Sequence, residues 1–224
     1  MIEAVVFDLD GVLLDSEQVW DSAREQLARE RGGRWHENAQ RDMMGMSSLE
    51  WSRYMHETIG LPEPPEEISA EVVRRLAQLY REHLPVLSGA REAVERLAAR
   101  WPLGLASSSN RELIDLVLEE LGVAHLFQAT VSSEEVERGK PAPDVYLEAA
   151  RRLEVDPTQG TAVEDSENGI RAAKTAGMKV VAIPNAHFPP REDALEQADL
   201  VLGSLDELTI EAIEAASGGG AARG

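Results

Sequence analysis

Cysteine is absent from this chain, which removes disulfides, thiolate nucleophiles and sulfur-ligated zinc, and accords with a cytoplasmic protein. Histidine is scarce: five scattered residues make no pair at metal-ligand spacing. No run of about 18 apolar residues offers a membrane span. The opening Met1-Ile2-Glu3-Ala4-Val5-Val6-Phe7 also lacks the basic start, long apolar stretch and small-residue cleavage site of a secretory signal, and reads as a first strand. Positive charge is short as well, with 22 Lys and Arg against 41 Asp and Glu, a formal net charge of −19. That balance opposes nucleic acid and anionic membrane surfaces as partners, because like fields repel. Small anions can still bind wherever local cations compensate.

What the chain does contain is ordered simply. Its 224 residues suffice for one sizeable core, with room for an inserted subdomain rather than a second independent domain. Six short apolar runs bounded by turn residues read as buried strands: Ala4 to Leu9, Leu103 to Ala106, Phe127 to Val131, Thr161 to Val163, Lys179 to Ile183 and Asp199 to Leu202. Helical patterns lie between the later ones, at Glu112 to Leu121, Pro143 to Leu153 and Gly169 to Ala176. Alternation of this kind predicts an α/β fold, a Rossmann-like parallel sheet with helices on both faces. Ligands of such sheets sit beyond the carboxyl ends of the strands, so the polar residues that follow the runs are expected to meet.

The alternation is interrupted once. Residues 16–83 carry apolar residues at helical spacing, such as Trp20, Ala23 and Leu27 and later Val72, Val73, Leu76 and Tyr80, without a convincing strand. This predicts an inserted α-helical cap over 16–83, a catalytic core made of 1–15 and 84–216, and a flexible low-complexity tail over 217–224.

Four polar clusters stand at strand ends. Asp8-Leu9-Asp10-Gly11 directly follows the first strand, and two acids two residues apart on extended chain point the same way. Burying both calls for a cation or a shared proton, and hard oxygen ligands favour magnesium. Glu164-Asp165-Ser166 repeats the arrangement after the fourth strand, although acids and serine there are equally what a helix N-terminus takes as caps. Ser107-Ser108-Ser109-Asn110 supplies hydroxyls and free amides at a strand-to-helix turn, suited to phosphate oxygens. Gly139-Lys140-Pro141-Ala142-Pro143 places one lysine between residues that stiffen the backbone, where it could balance carboxylates and a phosphate.

In this order and at these positions, Asp8-Leu9-Asp10-Gly11-Val12-Leu13-Leu14-Asp15-Ser16, Ser107, Lys140 and Glu164-Asp165 resemble the signatures of the haloacid dehalogenase superfamily. The likeness spans nearly the whole chain, and the insertion after the first strand looks like the cap of the subgroup with beta-phosphoglucomutase and phosphoglycolate phosphatase. The resemblance implies that Asp8 is the nucleophile, forming an aspartyl phosphate, and that Asp10 protonates the leaving oxygen and later activates water. It implies Mg2+ held by Asp8, the Asp10 backbone carbonyl and Asp165, with Glu164 beside them, while Ser107 and Lys140 hold the transferring oxygens and Ser108, Ser109 and Asn110 assist. Dehalogenases generally lack the second aspartate, so Asp10 points away from carbon–halogen chemistry.

Substrate choice is expected to lie in the cap. Where beta-phosphoglucomutases carry His, Lys and Arg, this chain aligns Trp20, Met44 and Ser48, so the cations for a second phosphate are missing at those positions and hydrolysis is favoured over mutase chemistry. The expected partner is a small phosphorylated metabolite such as a sugar phosphate, acted on by a monomer or weak dimer. A phosphomutase, or an idle metal-binding relative, is the alternative.

Overall fold

The computed structural model describes residues 2–43, 46–185 and 189–218. Met44, expected in the substrate wall, and residues 219–224 of the expected tail lie outside the described residues, while 217 and 218 close the last helix. Strands β1 (Ala4–Phe7), β2 (Leu103–Ser107), β3 (Phe127–Ser132), β4 (Gly160–Glu164), β5 (Lys179–Ala182) and β6 (Leu200–Val201) form one sheet in the order β3-β2-β1-β4-β5-β6. Every pairing is parallel. The direction of strand order reverses between β1 and β4, where Phe7 pairs with Val163 on one side and Leu105 on the other. A crevice opens at such a point beyond the strand ends.

The strands read as continuous apolar runs because both faces of a parallel sheet are covered. Val5 and Phe7 join Leu105, Val163 and Val181 in one core layer, whereas Val6 joins Ala106, Ala162 and Val180 in the other. Helices α5 (Ala90–Ala98), α6 (Arg111–Glu120) and α10 (Ile210–Ser217) bury residues in the first layer. Helices α7 (Asp144–Arg152) and α8 (Glu167–Thr175) bury Tyr146, Ala149, Ile170 and Ala173 in the second. A short α9 (Glu192–Leu195) precedes β6.

Between β1 and α5 the described residues form helices only: α1 (Glu17–Glu30), α2 (Ala39–Met43), α3 (Ser48–Tyr54), a π turn over Met55–Ile59, and α4 (Pro65–Glu82). Trp20, Ala23 and Leu27 of α1 bury against the stripe of Val72, Val73, Leu76 and Tyr80 on α4, the 3.6-residue period seen in the sequence. The start of α3 is fixed by a capping box, in which Ser47 Oγ accepts from the Glu50 amide and Glu50 accepts from the Ser47 amide. At the head of α1, Ser16 makes no such cap; its hydroxyl is turned to Asp10 instead. No helix among the described residues is long and apolar enough to cross a membrane.

Candidate active site

The site begins where β1 stops. The Asp8 amide still donates to Val163 O at 3.0 Å, so Asp8 remains in register with β4, and its side chain is buried at the sheet's carboxyl edge. Beside it β4 ends in Glu164 and Asp165, both buried. Carboxylate oxygens of Asp8, Glu164 and Asp165 lie within 4.8 Å of one another. One cation answers them: Lys140 Nζ is 2.9 Å from Asp8 Oδ1 and 2.6 Å from Glu164 Oε1.

Glu164 is fully occupied. Its Oε1 accepts from Lys140 and, at 2.5 Å, from the Tyr146 hydroxyl, and its Oε2 accepts from the Asp165 and Ser166 amides and the Ser166 hydroxyl. Its geometry makes it the residue that holds Lys140 in place. Two glycines make room for these acids. A Cβ at Gly11, where φ is +79°, would stand 1.9 Å from Asp165 Oδ2, and a Cβ at Gly169 would stand 1.9 Å from Glu164 Oε1. Gly11 therefore supplies a left-handed turn and a carboxylate-sized gap besides.

Three buried acids with one lysine leave negative charge in excess. Burial, assisted by Glu164 and Asp10 and opposed by Lys140, pushes the Asp8 carboxyl up to about 8. Burial and then Glu164 and Asp8 push Asp165 far above the carboxylate range. Burial works against the Lys140 charge, but Asp8 and Glu164 more than offset it and hold its pKa above the ordinary lysine value. Asp8 Oδ1 receives no hydrogen bond in proper geometry despite the nearby ammonium. A crowded set of hard oxygens with an orphaned lone pair fits a divalent cation such as magnesium.

Asp10 shares the cavity with Asp8 but lies outside the three-acid cluster. The chain leaves the extended path at Leu9, where the Leu13 and Leu14 amides both turn back to its carbonyl. The Asp10 carboxylate consequently stands apart from the acid cluster. Its Oδ1 accepts from Ser16 Oγ at 2.5 Å and Trp20 Nε1 at 3.2 Å, and its Oδ2 accepts from Ser109 Oγ at 2.5 Å. Asp10 and Asp8 are thus held by separate partners.

Asp8, Asp10, Lys140 and Asp165 share a cavity of about 600 Å³ with Ser108 and Ser109. Ser107 is fully buried at the end of β2, where its hydroxyl accepts from the Ser109 amide and shapes the turn. Asn110 and Ser48 are placed elsewhere. Both line a second cleft between α3, α4 and the core, with Asn110 Nδ2 donating to Glu134. Trp51, by contrast, lines the first cavity with Trp20 and Met46.

Sequence reasoning missed Tyr146, Gly169, three cavity residues of the insertion, Glu17, Arg24 and Arg41, and Gln40 behind them. Gln40 donates to Glu17 and accepts from Arg24, and the other three line the cavity directly. Arg24 and Arg41 bring cations to the wall from positions other than the aligned Trp20, Met44 and Ser48. A signal existed: Glu17, Trp20 and Arg24 fall at i, i+3 and i+7, one face of α1.

The sequence profile of the haloacid dehalogenase-like hydrolases matches residues 5–183. Hexitol phosphatase B of Escherichia coli strain K12 is 36% identical over 229 aligned positions, which cover 93% of this chain and 95% of that protein. A phosphorylated carbohydrates phosphatase of Thermotoga maritima is 33% identical, with 80% of this chain and 83% of the other covered. Among solved structures, a beta-phosphoglucomutase from Clostridium difficile superposes with a TM-score of 0.84 at 26% identity, covering 97% of this chain and 98% of the other.

Proposed function

Because this chain belongs to the haloacid dehalogenase-like hydrolase family, we propose that it is a magnesium-dependent phosphatase cleaving a small phosphomonoester, a sugar phosphate or similar metabolite, through a phosphorylated Asp8. The observation that carries this reading is the buried Asp8 carboxylate at the cavity floor, paired with Lys140 and separate from the independently held Asp10. An ionised carboxylate needs no base to attack. A carboxylate oxygen of Asp8 forms a bond to phosphorus as the ester P–O bond breaks, and Asp10 gives its proton to the departing oxygen. Asp10 then takes a proton from water, whose oxygen attacks phosphorus and releases Asp8 and inorganic phosphate.

Lys140 stands against the charge that spreads over the transferring oxygens, and the Ser108 and Ser109 segment lies on their other side. Asp8, Asp165 and the Asp10 carbonyl would hold the magnesium ion, which supplies further charge compensation for phosphate and carboxylates. Residues 16–83 act in this reading as the cap that covers the leaving group. Relatives named as phosphatases support hydrolysis. Phosphomutase chemistry is the second reading, favoured by the structural likeness to a beta-phosphoglucomutase.

Incubation with p-nitrophenyl phosphate, with and without Mg2+, tests the first reading. Metal-dependent phosphate release lost in Asp8→Asn is the expected result, and no release above that variant's background would refute it. With beta-glucose 1-phosphate and a bisphosphate primer, accumulation of glucose 6-phosphate instead of free phosphate would install the second.

A further inference from the structure

The cleft that Asn110 and Ser48 line lies on the seam between the insertion and the core, has a volume of about 640 Å³, and shares no lining residue with the catalytic cavity. Helices α3 and α4 supply one wall, and the head of α6 with the chain that follows β3 supplies the other. Four carboxylates line it: Glu66 of α4, Glu112 of α6, and Glu134 and Glu137 after β3. Glu134 is held by neutral donors, Asn110 Nδ2 at 2.7 Å and the Arg111 amide at 2.8 Å. The neighbouring Arg74, Arg111 and Arg138 pair instead with Glu71, with Asp115 and Glu135, and with Asp144, so none of the four is ion-paired among the described residues. Arg74, the one base in the lining, is forked onto Glu71 by two hydrogen bonds of 2.8 Å.

Acids on a surface need no ligand, but this lining also holds two buried acceptors with no donor. Asn110 is 6% exposed and Ser48 7%, and Asn110 Oδ1 and Ser48 Oγ have no hydrogen-bond partner. Because Asn110 Nδ2 faces Glu134, its carbonyl oxygen is the end left over, and that oxygen can only accept. A dry, unmet acceptor is destabilising until a donor reaches it. The lining therefore repels phosphates and carboxylates and suits a positively charged donor, in a chain whose formal net charge is −19. A metal ion is the poorer fit: among the described residues only Asp8, Glu164 and Asp165 bring three ligand atoms within 4.8 Å of one another. The acids of the seam are spread over separate elements and match a cation whose charges are spread too. Leu49, 53% exposed, and Val136 add apolar surface for a carbon stem. The volume is that of a small-molecule site.

We propose that the seam cleft binds a small aliphatic di- or polyamine, whose ammonium groups meet Glu66, Glu112 and Glu137 and donate to Asn110 Oδ1 and Ser48 Oγ, and whose carbon chain lies against Leu49 and Val136. With one wall from the insertion and the other from the core, the bound amine bridges the two.

Calorimetric titration of the full chain with spermidine tests this, at physiological ionic strength and with Mg2+ present to occupy the catalytic acids. Saturable binding of one amine per chain is expected, with a Kd below about 1 mM. Glu112→Gln combined with Glu137→Gln should weaken it about tenfold. Removing the same number of charges at the far end of α6, by Glu119→Gln with Glu120→Gln, should leave the affinity within about twofold, because exposed charges beyond a Debye length are screened. Asn110→Ala should weaken binding about threefold or more through the lost acceptor. Should that variant fail to fold, the two double variants on the helix and rim still decide. No saturable binding, equal losses from the two double variants, or unchanged affinity on losing Asn110 overturns the assignment. The titration needs no turnover, so its failure leaves the phosphatase reading standing, and an inactive chain leaves the amine site standing.

Discussion

Among the described residues Lys140 is the one basic side chain ion-paired with Asp8 and Glu164, and all three are buried. Replacing it by Met leaves two carboxylates in a dry place with no cation beside them, a change that costs about 3–5 kcal/mol when a buried pair loses a partner. Urea unfolding of Lys140→Met in EDTA should register that loss, and an unchanged midpoint would show the pair to be idle. Tyr146→Phe is milder: Glu164 Oε1 loses a donor and keeps Lys140, so about 1–3 kcal/mol is expected on the same measurement. Gly169→Ala forces a methyl into the Glu164 carboxylate, which has nowhere to go because five donors pin it. Loss of about 1–3 kcal/mol by overpacking should come with a drop in kcat, since Lys140 is displaced along with Glu164. If Gly169→Ala melts and turns over like the wild type, the packing described for Glu164 is wrong.

At the scale of elements, the capping box at the head of α3 is a local device with a local cost. Ser47→Ala should destabilise the chain by about 1 kcal/mol in urea unfolding, and a neutral result would mean α3 is held by packing alone. The strands belong to what the sequence makes legible, because their signals are confined to a few adjacent residues. Strand ends were placed to within about two residues, since an apolar run bounded by turn residues has little else to become in a two-sided sheet. Asp8, Lys140, Glu164 and Asp165 were legible too, each standing where a strand or a stiffened loop ends. The partners of the Asp10 carboxylate were not, because Ser16, Trp20 and Ser109 reach it from a turn, a helix and another strand end, and no local pattern links them. Gly169 and Tyr146 escaped for another reason: their contacts cross from one strand–helix unit to another, and nothing local marks them. Ser48 and Asn110 were mislaid by alignment to strand ends and loops, which fixes backbone position but not the face a side chain takes.

For the whole molecule, the acid cluster makes stability depend on pH in an unusual direction. Burial raises Asp8 and Glu17 to about 8 and about 7, and raises Asp165 as well, from the ordinary 3.8 of aspartate and 4.5 of glutamate. For acids whose folded pKa is raised, the stabilising contribution is complete below the unfolded value and is lost as pH rises through the folded value. The metal-free chain should therefore melt at a higher temperature at pH 6 than at pH 8. Added Mg2+ competes with those protons, so its increment in Tm should be larger at pH 8 than at pH 6. Calorimetric scans in EDTA and in Mg2+ check both, and a metal-free Tm that falls between pH 8 and pH 6 would contradict the burial assigned to these carboxylates. One arrangement reaches further. Asp8 is moored wholly to the sheet and its lysine, while Asp10 is gripped by Ser16 and Trp20 on the helical insertion and by Ser109 on the sheet side. In the proposed mechanism the attacking carboxylate would therefore belong to the sheet alone, whereas the proton donor would be shared between the sheet and the helical insertion.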